Sequence, residues 1–276
     1  NAPVGLQFSI TSGNGIYYGY GLNNVPVETG IKLAPGESHT FTTKQVINVG
    51  DPVRIYSAVN VQELDVHDFI SYLSTLNIAE VYNETVGTRL KKLVMGVNTT
   101  TDERRNTSLS VISGLLQAKR LEYLDISGYQ AITDLDLSAH AYFKTLKAYG
   151  SGLTGIIFAN GAPVTTLELP STLQSLALDS LPNLQASGLN VANEWKSVYS
   201  ILIRNCDQLQ AAPLIFNWYS KKTADNGQCS LFLEGIEWNN VDAASLISLG
   251  SIKTAGGTLS VKGIIHLASI TPAQVD

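Results

Sequence analysis

The sequence predicts a strand-rich repeat solenoid, with extended chain on both sides in the centre, strand-plus-helix coils toward the C-terminus and a small N-terminal β cap. Three observations predict it. An apolar motif recurs at a short, nearly constant interval through the middle of the chain. Beyond position 200 the interval lengthens to more than twice that, with helix-like sequence between the motifs. The stretch from Asn1 to Ile55 lacks the motif altogether.

The motif is L-x-x-L-x-L, where L is any large apolar residue. Its six central copies are Leu121, Leu124 and Ile126; Ile132, Leu135 and Leu137; Phe143, Leu146 and Ala148; Leu153, Ile156 and Phe158; Val164, Leu167 and Leu169; and Leu173, Leu176 and Leu178. A further start falls at Leu184, so the step from one copy to the next barely varies. The last two apolar positions of each copy flank an intervening residue, which is the period-two signature of a strand with one buried face. A half-repeat of this length holds a short strand and a bend, but not a helix as well. Two half-repeats then make one coil of about 21 residues, and stacked coils must share a core because none can bury its apolar row alone. This is a leucine-rich-repeat solenoid.

Weaker copies extend it outward: Val61, Leu64 and Val66; Leu73, Leu76 and Ile78; Leu90, Leu93 and Met95; then Val198, Ile201 and Ile203; then Ser230 to Leu233; and Thr258 to Val261. The polar insert from Asn98 to Ser108 reads as an exposed loop, followed by a short helix from about Leu109 to Ala118. In the C-terminal coils, Pro213 to Lys222 has proline at a first-turn position and lysines at the end, and reads as a helix. The stretch from Asn240 to Leu249, followed by Gly250, reads the same way. The expected organisation is a cap over residues 1–55 and a solenoid over 56–276.

The cap carries strand-like stretches at Leu6 to Ile10 and His39 to Thr43. It also has a Tyr/Gly run from Ile16 to Gly21, and turns at Ala34-Pro35-Gly36 and Gly50-Asp51-Pro52. Tyr17, Tyr18 and Tyr20 fit either a contact surface or packing under the cap. The chain opens on Asn1, holds one methionine (Met95), and ends with Thr271-Pro272, which reads as the start of another helix. A segment of a longer protein is therefore expected.

Composition narrows the function classes. With 44% hydrophobic residues the chain can fill a core, and its net charge of −5 comes without a basic stripe, so nucleic acid is not expected as a partner. No apolar run approaches the ~20 residues of a membrane span. Cys206 and Cys229 lack metal-ligand spacing and read as small buried hydrophobes, with a disulfide between neighbouring coils as the alternative. His39, His67, His140 and His266 are scattered. His67, beside Asp65 and Asp68, reads as a surface cluster. Asp125, Asp134 and Asp136 could stack as an acidic ladder, suggesting paired carboxylates, but solvated strand-face residues are the simpler reading. No nucleophile elbow, phosphate loop or dinucleotide fingerprint occurs in a strand–turn–helix context. The Asn-x-Ser/Thr triplets at Asn83, Asn98 and Asn106 carry no assignment in a chain rich in Asn and Thr.

The stretch from Val164 to Leu176, with Leu169-Pro170 at its centre, resembles the L-x-x-L-x-L-P-x-x-L-x-x-I pattern of bacterial-surface repeats of the BspA or Treponema type. It lacks the Ala-Phe that usually follows the second strand. Four further features are similar to very large virion proteins of crAss-like phages of gut Bacteroidales, a likeness that covers roughly residues 50–276. They are Gly50 to Tyr56 leading into Glu63-Leu64-Asp65; Leu121 to Ile126; Phe158 to Gly161 followed by Leu169 to Thr172; and Trp238 to Val241. The resemblance implies a non-enzymatic structural or interaction module of a phage tail, muzzle or fibre. It implies partners among other virion proteins or a host-surface protein or glycan, in a homo-oligomeric assembly. It carries no catalytic, cofactor or metal residue. A leucine-rich-repeat adhesin of a bacterial cell surface is the alternative. Repeat geometry points to one strand face as the contact surface: Tyr123, Asp125, Thr133, Asp134, Asp136, Thr145 and Lys147.

Overall fold

A computed structural model describes residues 1–13, 16–56, 58–78, 89–97, 101–191, 195–224, 229–242 and 258–267. Five strands open the chain: β1 (Gln7–Ser12), β2 (Ile16–Leu22), β3 (Val25–Leu33), β4 (Ser38–Thr42) and β5 (Val53–Tyr56). Short strands follow: β6 (Val61–Asp65), β7 (Leu76–Asn77), β8 (Lys92–Val94), β9 (Ile112–Ser113), β10 (Tyr123–Asp125), β11 (Asp134–Leu137), β12 (Thr145–Lys147), β13 (Gly155–Phe158), β14 (Thr166–Leu169), β15 (Ser175–Asp179), β16 (Leu189–Val191) and β17 (Ser200–Arg204). Helix α1 (Ala212–Ala224) and two longer strands, β18 (Ser230–Val241) and β19 (Thr258–Leu267), complete the described elements.

From β6 to β17, consecutive strands fall in different sheets. The even-numbered strands β6 to β16 are parallel neighbours in one eight-stranded sheet of order β16-β14-β12-β10-β8-β6-β1-β4. Most of the intervening strands pair among themselves, β7 with β9, β11 with β13, and β15, β17, β18 and β19 in that order, again all parallel. Parallel partners need a long crossover between them, and up to β18 the crossover of each pair carries a strand of another sheet or, between β17 and β18, helix α1; the connection from β18 to β19 lies largely outside the described residues. Hydrogen bonds between central coils accordingly join residues about one repeat apart: Thr154 Oγ1 donates to Thr133 O (3.1 Å), and Lys144 Nζ to Glu122 Oε2 (2.5 Å).

The register aligns the motif leucines. Leu64, Leu93, Leu124, Leu146, Leu167 and Leu189 are successive partners across the eight-stranded sheet, and all are buried. Leu135 faces Ile156 in the second layer, and Leu176, Ile201 and Leu231 form a third buried row. These rows join one continuous apolar cluster, each fully buried leucine contributing roughly 1.5–3 kcal/mol.

The N-terminal strands do not stand apart from this layer. β1 runs antiparallel to β6 and to β4, so the sheet continues into residues expected to form only a cap. Phe8 anchors that end, with ring centroids 5.0 Å from Phe41 and 5.3 Å from Tyr20. Tyr18 and Tyr20 are buried here; Tyr18 Oη lies 2.8 Å from Ser12 Oγ. A separate sheet, β3-β2-β5, packs beside them.

Three local expectations need correction. The helix expected from Leu109 to Ala118 is absent. Ile112 and Ser113 pair with β7, and Gly114, at φ +83°, leads into a single 3-10 turn. A left-handed residue at that point interrupts any α-helix. The insert before it is not simply an exposed loop: Asn106 is buried, donating from Nδ2 to Ile70 O (2.6 Å) and Leu73 O (2.7 Å), while its Oδ1 accepts Ser108 N (2.9 Å) and Leu109 N (2.8 Å). Asn240 and Val241 end strand β18 instead of opening a helix; positions 243–250 lie outside the described residues, as do 271–276. The helix at Pro213 to Lys222 is present as α1, with Lys221 and Lys222 in its last turn. Cys206 and Cys229 are both buried and free.

Candidate interaction faces

The outward side of the eight-stranded sheet carries two rows of side chains at right angles to the strands. One runs Thr11, Glu63, Lys92, Tyr123, Thr145 and Thr166; the other runs Ser9, Asp65, Val94, Asp125, Lys147 and Glu168. Strand spacing brings row neighbours to about 5 Å, and opposite charges meet. Lys92 Nζ lies 3.3 Å from Glu63 Oε2 and 5.6 Å from the Tyr123 ring centre, and Lys147 Nζ lies 3.5 Å from Glu168 Oε1. Glu122 meets Lys144 (2.5 Å) and Lys91 (3.6 Å) at the foot of the strands, and the Lys144 hydrogen bond holds its carboxyl below the usual range.

Asp125 sits at the centre of this face. Its Oδ1 accepts Ser127 N (2.9 Å), and it packs so tightly on the neighbouring coil that a Cβ at Gly96 would lie 2.3 Å from that oxygen. Burial pushes the Asp125 carboxyl and the Tyr123 phenol up from their ordinary values. Toward β1 the face dips into a shallow depression of about 180 Å³ lined by Ser9, Thr11, Ser38, Glu63, Asp65 and Lys92.

The seven residues expected on one face divide between two. Tyr123, Asp125, Thr145 and Lys147 are row partners on the eight-stranded sheet. Asp134 and Asp136 lie exposed on β11, and Thr133 immediately precedes them; this strand belongs to the other layer, and the acidic ladder through Asp125 does not form. The cause is the alternation itself, since successive half-repeats lie in different sheets. Thr133 Oγ1 donates to Asp134 Oδ2 (2.9 Å), and Asp136 accepts Ser138 N (2.9 Å); hydrogen bonds from the Ser138 hydroxyl and backbone hold its carboxyl low. Missed by sequence reasoning were Glu63, Lys92 and Glu168. Each adjoins a motif leucine, as Tyr123 and Lys147 do, and extending the rows to every copy of the motif finds them.

Asp65 Oδ1 lies 2.6 Å from His67 Nδ1, and Asp68 lies within 3.6 Å of both His67 and Arg104. Among the described residues no group of three or more His, Cys, Asp or Glu side chains is placed to hold a metal ion, and no helix is long and apolar enough to cross a membrane. Comparison with known protein families, curated proteins and solved structures returns no match to this chain.

Proposed function

We propose that the chain is a strand-rich leucine-rich-repeat solenoid that works by protein–protein contact, as a non-enzymatic module of a large virion protein of the crAss-like type. One observation carries the interaction reading: a mixed-charge face spanning β1 to β14, held in a fixed grid by backbone pairing. Side chains locked at strand spacing lose little further freedom on binding, which favours broad protein contact. The placement of Asp125 in a different sheet from Asp134 and Asp136 supports the non-enzymatic reading over glycoside chemistry on a stacked acidic ladder. The virion assignment rests on the resemblance of residues 50–276.

Immunogold electron microscopy tests the placement. Antibodies to this chain are expected to label the tail region of purified crAss-like phage particles. Label confined to the surface of bacterial cells would replace this reading with the adhesin.

A further inference from the structure

The outward face of the β15-β17-β18-β19 sheet carries a different pattern, in three rows. Ser175, Ser200, Ser230 and Thr258 form a hydroxyl row. Ala177, Leu202, Phe232 and Ser260 form a largely apolar one. Asp179, Arg204, Glu234 and Lys262 form a row of strictly alternating charge. Arg204 pairs with Asp179 and lies 3.9 Å from Glu234, which in turn lies 3.3 Å from Lys262. Leu202 and Phe232 point away from the core row of Leu176, Ile201 and Leu231, and are half-buried in the sheet surface.

A row that reads minus, plus, minus, plus becomes its own complement when reversed. We propose that this face binds a second copy of the chain about a two-fold axis parallel to the strands, midway between β17 and β18. That operation keeps each row at its own height and reverses its order. Asp179 then faces Lys262 of the second copy, Arg204 faces Glu234, Leu202 faces Phe232, and small Ala177 faces small Ser260. The hydroxyl row meets itself. Sheets related in this way pack with strands nearly aligned, the ordinary arrangement of two stacked sheets. The charges stay laterally paired within each copy, and the facing row adds to them. Among two-fold axes in the plane of the face, this one brings all four strands into register with both the charge row and the apolar row matched. The inference names a partner that the proposed function leaves open, and it stands whether or not the parent protein is a virion component.

The patch is small, about 17 Å along the strands and 15–20 Å across them, well below the ~800 Å² per partner of a standard interface. A weak, concentration-dependent dimer is therefore expected, with half-association at tens of micromolar. Sedimentation equilibrium up to about 500 µM is expected to show a mass rising toward about 59 kDa, twice that of one 29.7 kDa chain. Leu202→Asp, on the outward side, is expected to weaken association at least ~10-fold with an unchanged circular dichroism spectrum. The sharper test inverts the whole charge row by Asp179→Lys, Arg204→Glu, Glu234→Arg and Lys262→Glu together. The inverted chain keeps its alternation and should self-associate like the parent, yet mixing the two brings like charges face to face, so energy transfer between differently labelled chains should be absent. A monomer throughout the concentration range overturns the proposal. So does association that is indifferent to Leu202→Asp, or free formation of mixed dimers; both of these would place the contact on another surface.

Discussion

Gly152 is a position where one methyl group should be expensive. A Cβ there would lie 1.9 Å from Gln130 O and 2.7 Å from Gln130 C, backbone atoms of the preceding coil. The two chain segments are tied at that point by Gly152 N–H donating to Tyr129 O at 3.1 Å. Relieving the overlap means opening the coils by about 1 Å, which breaks this hydrogen bond and strands a donor and an acceptor beside the core. The lost bond costs about 1 kcal/mol and each of the two stranded groups about 1–3 kcal/mol, so Gly152→Ala should destabilise the fold by about 3–7 kcal/mol. Urea unfolding followed by circular dichroism reads this as a midpoint lowered by roughly 1–2 M for a denaturant slope near 3 kcal/mol/M. Gly188, whose Cβ would lie 1.9 Å from Thr165 O, should behave alike. Gly155 is the control: a Cβ there meets only Asp134 Oδ1, at an ordinary 3.4 Å, so Gly155→Ala should stay within about 0.5 kcal/mol of the parent. If Gly152→Ala and Gly155→Ala unfold at the same midpoint, the close stacking of coils at this corner is wrong.

Two further outcomes follow from the core. Leu146→Ala, between Leu124 and Leu167 in a row whose spacing the backbone fixes, should cost about 2–5 kcal/mol, against ~0.5 kcal/mol or less for outward Lys147→Ala; equal losses would mean the inward and outward assignments fail. His140 is buried, with Nε2 2.9 Å from Leu115 O, and burial pushes its pKa below the ordinary 6.5. Between the lowered value and the ordinary one the unfolded chain takes up a proton that the folded chain refuses, so stability is lost as pH falls below about 6.5. The drop in melting temperature from pH 7.5 to pH 5.0 should be smaller for His140→Gln, and equal drops would refute the assignment.

Which residues turn inward is legible in the chain alone. Leu124, Leu135, Leu146, Leu167 and Leu176 can be picked out because strand periodicity and repeat spacing are both local patterns, and α1 because proline and lysine mark its ends. Which strands lie side by side is settled only when the coils stack. Asp134 and Asp136 have the same local pattern as Asp125, yet they belong to the other layer, because a parallel strand cannot pair with its immediate successor across so short a connection. The burial of Asn106 depends on the carbonyls of Ile70 and Leu73, far back along the chain, and the joining of β1 to β6 crosses the expected domain boundary. Hydrogen-bond partners so distant leave no mark in local periodicity. The self-complementary charge row belongs to the same class: Asp179, Arg204, Glu234 and Lys262 come from four separate strands, and only the register sets them in line.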